Sequence, residues 1–246
     1  MTATTNQTQA MKYAKLAGLL YLIIAISGGF SIGYVPSVII KAGDAASTAQ
    51  NMMDHLGLFR LSILGDIVVL LLEIVLTVIL YRLFKPVNKT IAMVAAFSRL
   101  AMGIVMGFNL LNYLIPFHLL NGADNLSAFK IDQLQSLAMV FFDAHQYGIY
   151  IWGLFFGFHL VALGYLVFKS GYFPKVLGLL MCIGSFGYLL ESIGEITLTN
   201  SAIFSILVIV LLVVATIGEL SFTFWLLIRG INIEEWDKRN VGNKML

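Results

Sequence analysis

Six acidic residues stand within long apolar runs: Asp66, Glu73, Asp143, Glu191, Glu195 and Glu219. Arg99 is the one basic residue set equally deep, with Arg60 near the edge of its run. Carboxyl groups in apolar surroundings need a proton, a cation or a water-filled cavity to compensate them. Each option carries chemistry: proton coupling, metal binding or a polar ligand site. His145, Trp152 and His159 recur at seven-residue spacing, which places them on one helical face, with Asp143, Tyr147 and Tyr150 nearly opposite. His118, Asp143, His145, Glu191 and Glu195 are of the types that hold Zn²⁺ with water in an open position. No H-E-x-x-H spacing unites them. Gly184-Ser185-Phe186-Gly187 lacks the glycine spacing of a nucleophile elbow, and no P-loop or dinucleotide fingerprint occurs. Cys182 is the single cysteine, which excludes an intrachain disulfide and a multi-thiolate metal site.

The elements that must position these groups follow from composition. The chain has 246 residues, 59% hydrophobic and 11% charged, with a mean hydropathy of +0.91. A soluble domain carries roughly 25% charge, so a soluble enzyme, a disordered chain and a nucleic-acid binder are excluded. The net charge of +2 offers no field for nucleic acid. The composition predicts an all-α polytopic membrane protein, a bundle of six transmembrane helices at about 15–34, 57–81, 90–119, 134–168, 174–198 and 203–228. The apolar run after Lys12 and Lys15 is too long for a signal peptide and reads as a retained first helix. The third and fourth runs exceed one bilayer, with Pro116 and the Gly148, Gly153 and Gly157 series as expected bend points. One side collects Lys12, Lys15, Arg82, Lys85, Lys89, Lys169, Lys175, Arg229, Lys238, Arg239 and Lys244; the other has Lys41 and Lys130. That bias puts both termini in the cytoplasm of a cell-membrane protein, with 229–246 as a short cytoplasmic tail on a single membrane domain.

Local signals fit these spans. Asp44 is an expected cap for a short helix over 45–55, and Asp132 with Gln135 forms a capping-box pattern opening the fourth span. Gly28, Gly29 and Gly33, and Gly178, Gly184 and Gly187, read as close-packing positions.

Depth then sorts the charges, at about 1.5 Å of rise per residue. Glu73, Arg99 and Glu219 each lie roughly 13–15 Å from the nearest cytoplasmic basic residue. They are expected to form an inner charge cluster in which Arg99 bridges two carboxylates. Asp66, Asn112, Asp143 and Glu191 lie roughly 13–16 Å from the opposite ends of their spans. With His145 they are the candidate ligand-binding or proton-linked residues of an outward-facing polar cavity.

A family resemblance covers nearly the whole chain, about 13–230. Its marks include Gly43-Asp44-Ala45-Ala46-x-Thr48-Ala49, Leu58-Phe59-Arg60-Leu61 with Asp66, and Leu80-Tyr81-x-Leu83-x-Lys85-Pro86-Val87-Asn88. Asp143-x-His145-x-x-Gly148, Ser170-Gly171-x-x-Pro174-x-x-Leu177-Gly178 and Ile217-Gly218-Glu219-Leu220-Ser221 continue it. The combined pattern resembles the bacterial domain-of-unknown-function family numbered 4386. The resemblance implies an integral membrane protein of about six helices and supplies no activity, cofactor or catalytic residue. Asp143, His145 and Glu219 belong to its signature, Glu191 stands where an aspartate is expected, and Glu73 and Glu195 fall outside the pattern.

Three functions are open at this point. The first is a protein whose outward cavity binds or transports a small ligand, ion or proton. The second is an intramembrane hydrolase on lipid-like substrates, with His145 and Asp143 as base and orienter or as metal ligands. The third is a structural or regulatory membrane protein without a ligand. Expected partners are membrane lipids and a small molecule, proton or metal ion, and no nucleic acid.

Overall fold

The computed structural model describes residues 3–122, 126–197 and 201–242. Lys244, and position 198 at the expected end of the fifth span, lie outside them. The described residues are helical and include no strand. In chain order the helices are α1 (Ala3–Gly28), α2 (Val35–Ile39), α3 (Ala45–Asp54), α4 (Leu56–Phe84), α5 (Lys89–Asn109) and α6 (Leu111–Leu120). There follow α7 (Ile131–Ser170), α8 (Lys175–Ile196), α9 (Ala202–Ile228) and α10 (Ile233–Gly242). A π-helical turn, Gly29–Tyr34, joins α1 to α2 without breaking the run. Among the described residues six helical runs are long and apolar enough to cross a membrane: Asn6–Ile39, Leu56–Phe84, Lys89–Leu120, Ile131–Ser170, Lys175–Ile196 and Ala202–Ile228. The chain is therefore an all-α multi-pass membrane protein.

Two compact units share these helices. One comprises Met1–Leu22, Glu73–Met102 and Tyr150–Leu246; the other comprises Ile23–Leu72 and Gly103–Ile149. In the first, α8 and α9 meet at glycine. A Cβ on Gly184 would lie 2.3 Å from the Ala215 backbone, and one on Gly187 would lie 2.7 Å from that of Leu212. Gly164 and Gly178 bring α7 and α8 equally close. This is van der Waals packing through small residues, which drives helix association where no water is present. The second unit is built around Phe59, Tyr113 and Phe142, whose rings lie 5.3–6.1 Å apart, over Val35, Ile39 and Met52.

Several local expectations need correction. Gly28, Gly29 and Gly33 have nothing within 4 Å of a Cβ position. They lead into and occupy the π-helical turn, whose wider backbone turns Ser31 inward, fully buried. The glycines of α7 do not break it: the helix is continuous over 40 residues. They admit neighbours instead: a Cβ on Gly148 would sit 2.1 Å from Asn109 Oδ1. The break in the third span falls at Leu110, between α5 and α6. Pro116 lies one to two turns beyond and withholds the N–H that would bond Asn112. The fourth span opens two residues earlier than a cap at Asp132 would give. Its cap is the Gln133 amide oxygen accepting from the Lys130 backbone N–H at 3.0 Å. Asp44 caps α3 as its residue type demands, accepting from the Ser47 N–H at 2.9 Å.

Candidate functional site

The first unit holds the charged group. Arg99, on α5, is 1% exposed, and every edge of its guanidinium is used. Nη2 donates to Glu73 Oε1 at 3.0 Å. Nε completes the ion pair with Glu73 Oε2, off hydrogen-bond alignment. Nη1 donates to the Tyr21 hydroxyl at 3.1 Å and to His159 Nε2 at 2.9 Å. His159 Nδ1 meets the Ala95 carbonyl at 2.8 Å. Those two contacts fix the tautomer: the hydrogen is on Nδ1, and Nε2 is free to accept from Arg99. The Tyr21 ring lies under the guanidinium, 4.8 Å from centroid to Cζ, a cation–π contact strengthened by the absence of water. Glu219 makes no direct bond to Arg99. It accepts from the Tyr188 hydroxyl at 3.1 Å and lies within electrostatic reach of Arg99 and Glu73. The common depth of Glu73, Arg99 and Glu219 was readable from helical rise. Tyr21, His159 and Tyr188 were not, because their rotation toward Arg99 or Glu219 depends on helix packing. The seven-residue spacing of His145, Trp152 and His159 was the available signal for His159.

The second unit holds a neutral polar group around Tyr113. Ser31, presented by the π-helical turn, donates to Asp66 Oδ1 on α4. Asp66 is 5% exposed, and its Oδ2 has no hydrogen-bond partner among the described residues. His145, 2% exposed, stacks on Tyr113 with centroids 3.7 Å apart. Its Nδ1 meets the Asn109 carbonyl at 3.3 Å, so Nδ1 carries the hydrogen and Nε2 is an acceptor. That Nε2 also has no partner among the described residues. Asp66 lies within electrostatic reach of Tyr113. The α5–α6 break braces the group: Asn109 Nδ2 donates to the His145 carbonyl at 2.9 Å, and Asn112 Nδ2 donates to Asn109 Oδ1 at 2.9 Å. Two buried acceptors thus stand beside one tyrosine with no donor to them among the described residues. Buried polar atoms are nearly always paired, so each orphan needs an explanation.

Within the same unit, Asp143 and His118 take no part in this group. Asp143 is exposed and lines a groove of about 380 Å³ with Gln146, Ser136 and the loop residues Ala42 and Gly43. It makes no base-and-orienter pair with His145, whose Nδ1 is taken by Asn109. His118 is exposed, its ring against Phe117. Glu191 is half-buried with Glu195, exposed one turn on, as its like-charged neighbour. Among the described residues no three His, Cys, Asp or Glu side chains gather to hold a metal ion. The signals that would have pointed to the Asp66 group, Ser31 in a glycine-rich stretch and Asn109 before a proline-bearing helix, are too common to be read unaided.

Comparison with known proteins agrees with this architecture. The model of the family described as a domain of unknown function (DUF4386) matches residues 16–230. The chain belongs to that family. An uncharacterized protein of Archaeoglobus fulgidus is 30% identical over 174 residues, 71% of this chain and 86% of the archaeal one. No solved structure matches the chain.

Proposed function

We propose that this family member binds a small hydrogen-bond-donating cation or solute at the Asp66 group and serves its passage into or across the membrane. The observation that carries the reading is the pair of buried, unpartnered acceptors, Asp66 Oδ2 and His145 Nε2, both associated with Tyr113. An acceptor-only lining suits a ligand that brings N–H or O–H donors and positive charge, such as an ammonium-type ion or a hydrated proton. In this reading Tyr113 supplies a π-face for the cation, Ser31 holds Asp66, and Asn109 holds the His145 tautomer. The sidedness is part of the proposal: both termini are cytoplasmic, in the cell membrane, and the Asp66 group opens to the outer side. The hydrolase alternative is set aside for want of a base-and-orienter pair. A purely structural role suits the Arg99 group, in which each guanidinium nitrogen meets a protein atom.

The test compares ammonium with tetramethylammonium, which has the same charge and no N–H donor. Purified protein in detergent is expected to gain thermal stability with millimolar ammonium and not with tetramethylammonium. Asp66→Asn and His145→Phe, the second keeping the stack on Tyr113, are expected to abolish that gain. Equal shifts with both cations, or an undiminished shift in both variants, would refute the reading.

A further inference from the structure

The chain between α7 and α8, and the end of α9, form a second polar site remote in sequence from Asp66. A groove of about 360 Å³ is walled by Gly171, Tyr172, Phe173 and Pro174 on one side and by Trp225, Arg229 and Asn232 on the other. Its frame is fixed. Arg239, on α10, donates to the carbonyls of Ser170 and Lys169 at 2.8 and 2.7 Å, closing the end of α7. The Asn232 N–H bonds the Tyr172 carbonyl at 3.1 Å, and the Asn232 side chain caps α10 by accepting from Glu235 N–H. Gly230, at φ +73°, ends α9 with its N–H on the Trp225 carbonyl.

Within this frame the donors are in excess. The Tyr172 hydroxyl belongs to a residue 2% exposed and has no partner among the described residues. Burial pushes it above the usual phenol range, against the opposing charge of Arg239, so it stays a donor at neutral pH. Arg229 is exposed, its side chain without an ion pair or hydrogen bond among the described residues. A second buried donor without a partner, Trp236 Nε1, lies on α10 directly after this loop's anchor, Asn232. The nearest acid, Glu235, is engaged by Lys238 at 2.7 Å. Trp225, Phe173 and Ile231 give the same groove apolar walls.

We propose that this groove binds a phosphate-bearing anion, the chemistry of an anionic phospholipid headgroup, with Arg229 and the Tyr172 hydroxyl as its donors. A guanidinium matches phosphate oxygens in a fork, and Tyr172, which walls the same groove with its hydroxyl unpartnered, would supply a third donor. The apolar walls suit acyl chains, and aromatic and basic residues together mark the level of lipid headgroups.

Native mass spectrometry of the full chain in detergent tests this, with phosphatidylglycerol and phosphatidylcholine offered in equal amount and inorganic phosphate as a separate arm. The wild type is expected to retain phosphatidylglycerol about fivefold over phosphatidylcholine, the preference one well-placed cation gives at a membrane surface. Arg229→Gln is expected to bring the ratio close to one. Tyr172→Phe, which removes only the hydroxyl, is expected to reduce it at least twofold with unchanged helical content. If inorganic phosphate alone binds and competes, the site takes the free anion as well; if it does not, the lipid is the source. Equal retention of the two lipids by the wild type, without phosphate binding, overturns the proposal. So does an undiminished preference in both variants.

Discussion

At the scale of single residues the sharpest contrast is between a charge that is fully matched and acceptors that are not. Arg99 satisfies Glu73, Tyr21 and His159 together. Removing one member of a buried pair leaves the other charge uncompensated, which costs about 3–5 kcal/mol, whereas replacing both by apolar groups is often neutral. Arg99→Met is therefore expected to destabilise the chain by about 3–5 kcal/mol, and Arg99→Met with Glu73→Met to recover most of that loss. Unfolding in mixed micelles measures the cycle. A double variant as unstable as the sum of the two singles would show that Tyr21 and His159, not the ion pair, hold Arg99. This pair was half legible in the sequence. Helical rise puts Glu73 and Arg99 at one depth, but rotation about each axis decides which atoms meet, and no single-chain periodicity gives that rotation. For the same reason Asp66 and His145 were readable as candidates while Ser31 and Tyr113, which make them a site, were not.

At the scale of elements, the sequence was most informative where a local chemical rule acts alone. Long apolar runs gave the six spans because a bilayer leaves the backbone no alternative to helix. Asp44 gave the start of α3 because a carboxylate next to free N–H groups has one good use. Gly148, Gly153 and Gly157 show how a glycine's role depends on what approaches it: Asn109, Ser192 and Leu189 occupy the space a Cβ would take. The α3 cap is pH-dependent in a defined direction. The Ser47 hydroxyl and then the Ser47 amide hold the Asp44 carboxyl below the usual aspartate range. A carboxyl whose folded value is depressed stabilises the structure above its unfolded pKa, about 3.9, and loses that contribution as pH falls through the folded value. Hydrogen exchange of the α3 amides, corrected for intrinsic rate, should thus show protection that is flat from neutral pH to about 5 and falls below about 4. Asp44→Asn keeps an acceptor without a titrating proton and should flatten the response. An identical acid response in both chains would remove Asp44 as its cause.

At the scale of the whole molecule the proposed sidedness rests on charge. Lys12, Lys15, Arg82, Lys85, Lys89, Lys169, Lys175, Arg229, Lys238 and Arg239 lie at alternate ends of successive spans, so six crossings bring them all to one side. The other side has Lys41 and Lys130 in its connections. Basic residues in short connections are retained in the cytoplasm during insertion, and the proposed sidedness, with both termini there and the Asp44 cap on the opposite face, follows that rule. With that sidedness the groove proposed to take phosphate would face the anionic cytoplasmic leaflet, where Arg229 has most to gain. Reporter fusions read this directly. A fluorescent protein that folds only in the cytoplasm is expected to be bright after residue 242 and dark after residue 43, and a phosphatase active only outside should give the reverse. Moving charge should shift the balance: changing Lys85, Lys89, Lys169 and Lys175 to Gln while adding two lysines beside Lys41 is expected to raise phosphatase activity at the C-terminus. If the C-terminal phosphatase is active in the unmodified chain, the sidedness is reversed. The Asp66 group would then open to the cytoplasm, and the groove at Arg229 would face the leaflet with less negative charge.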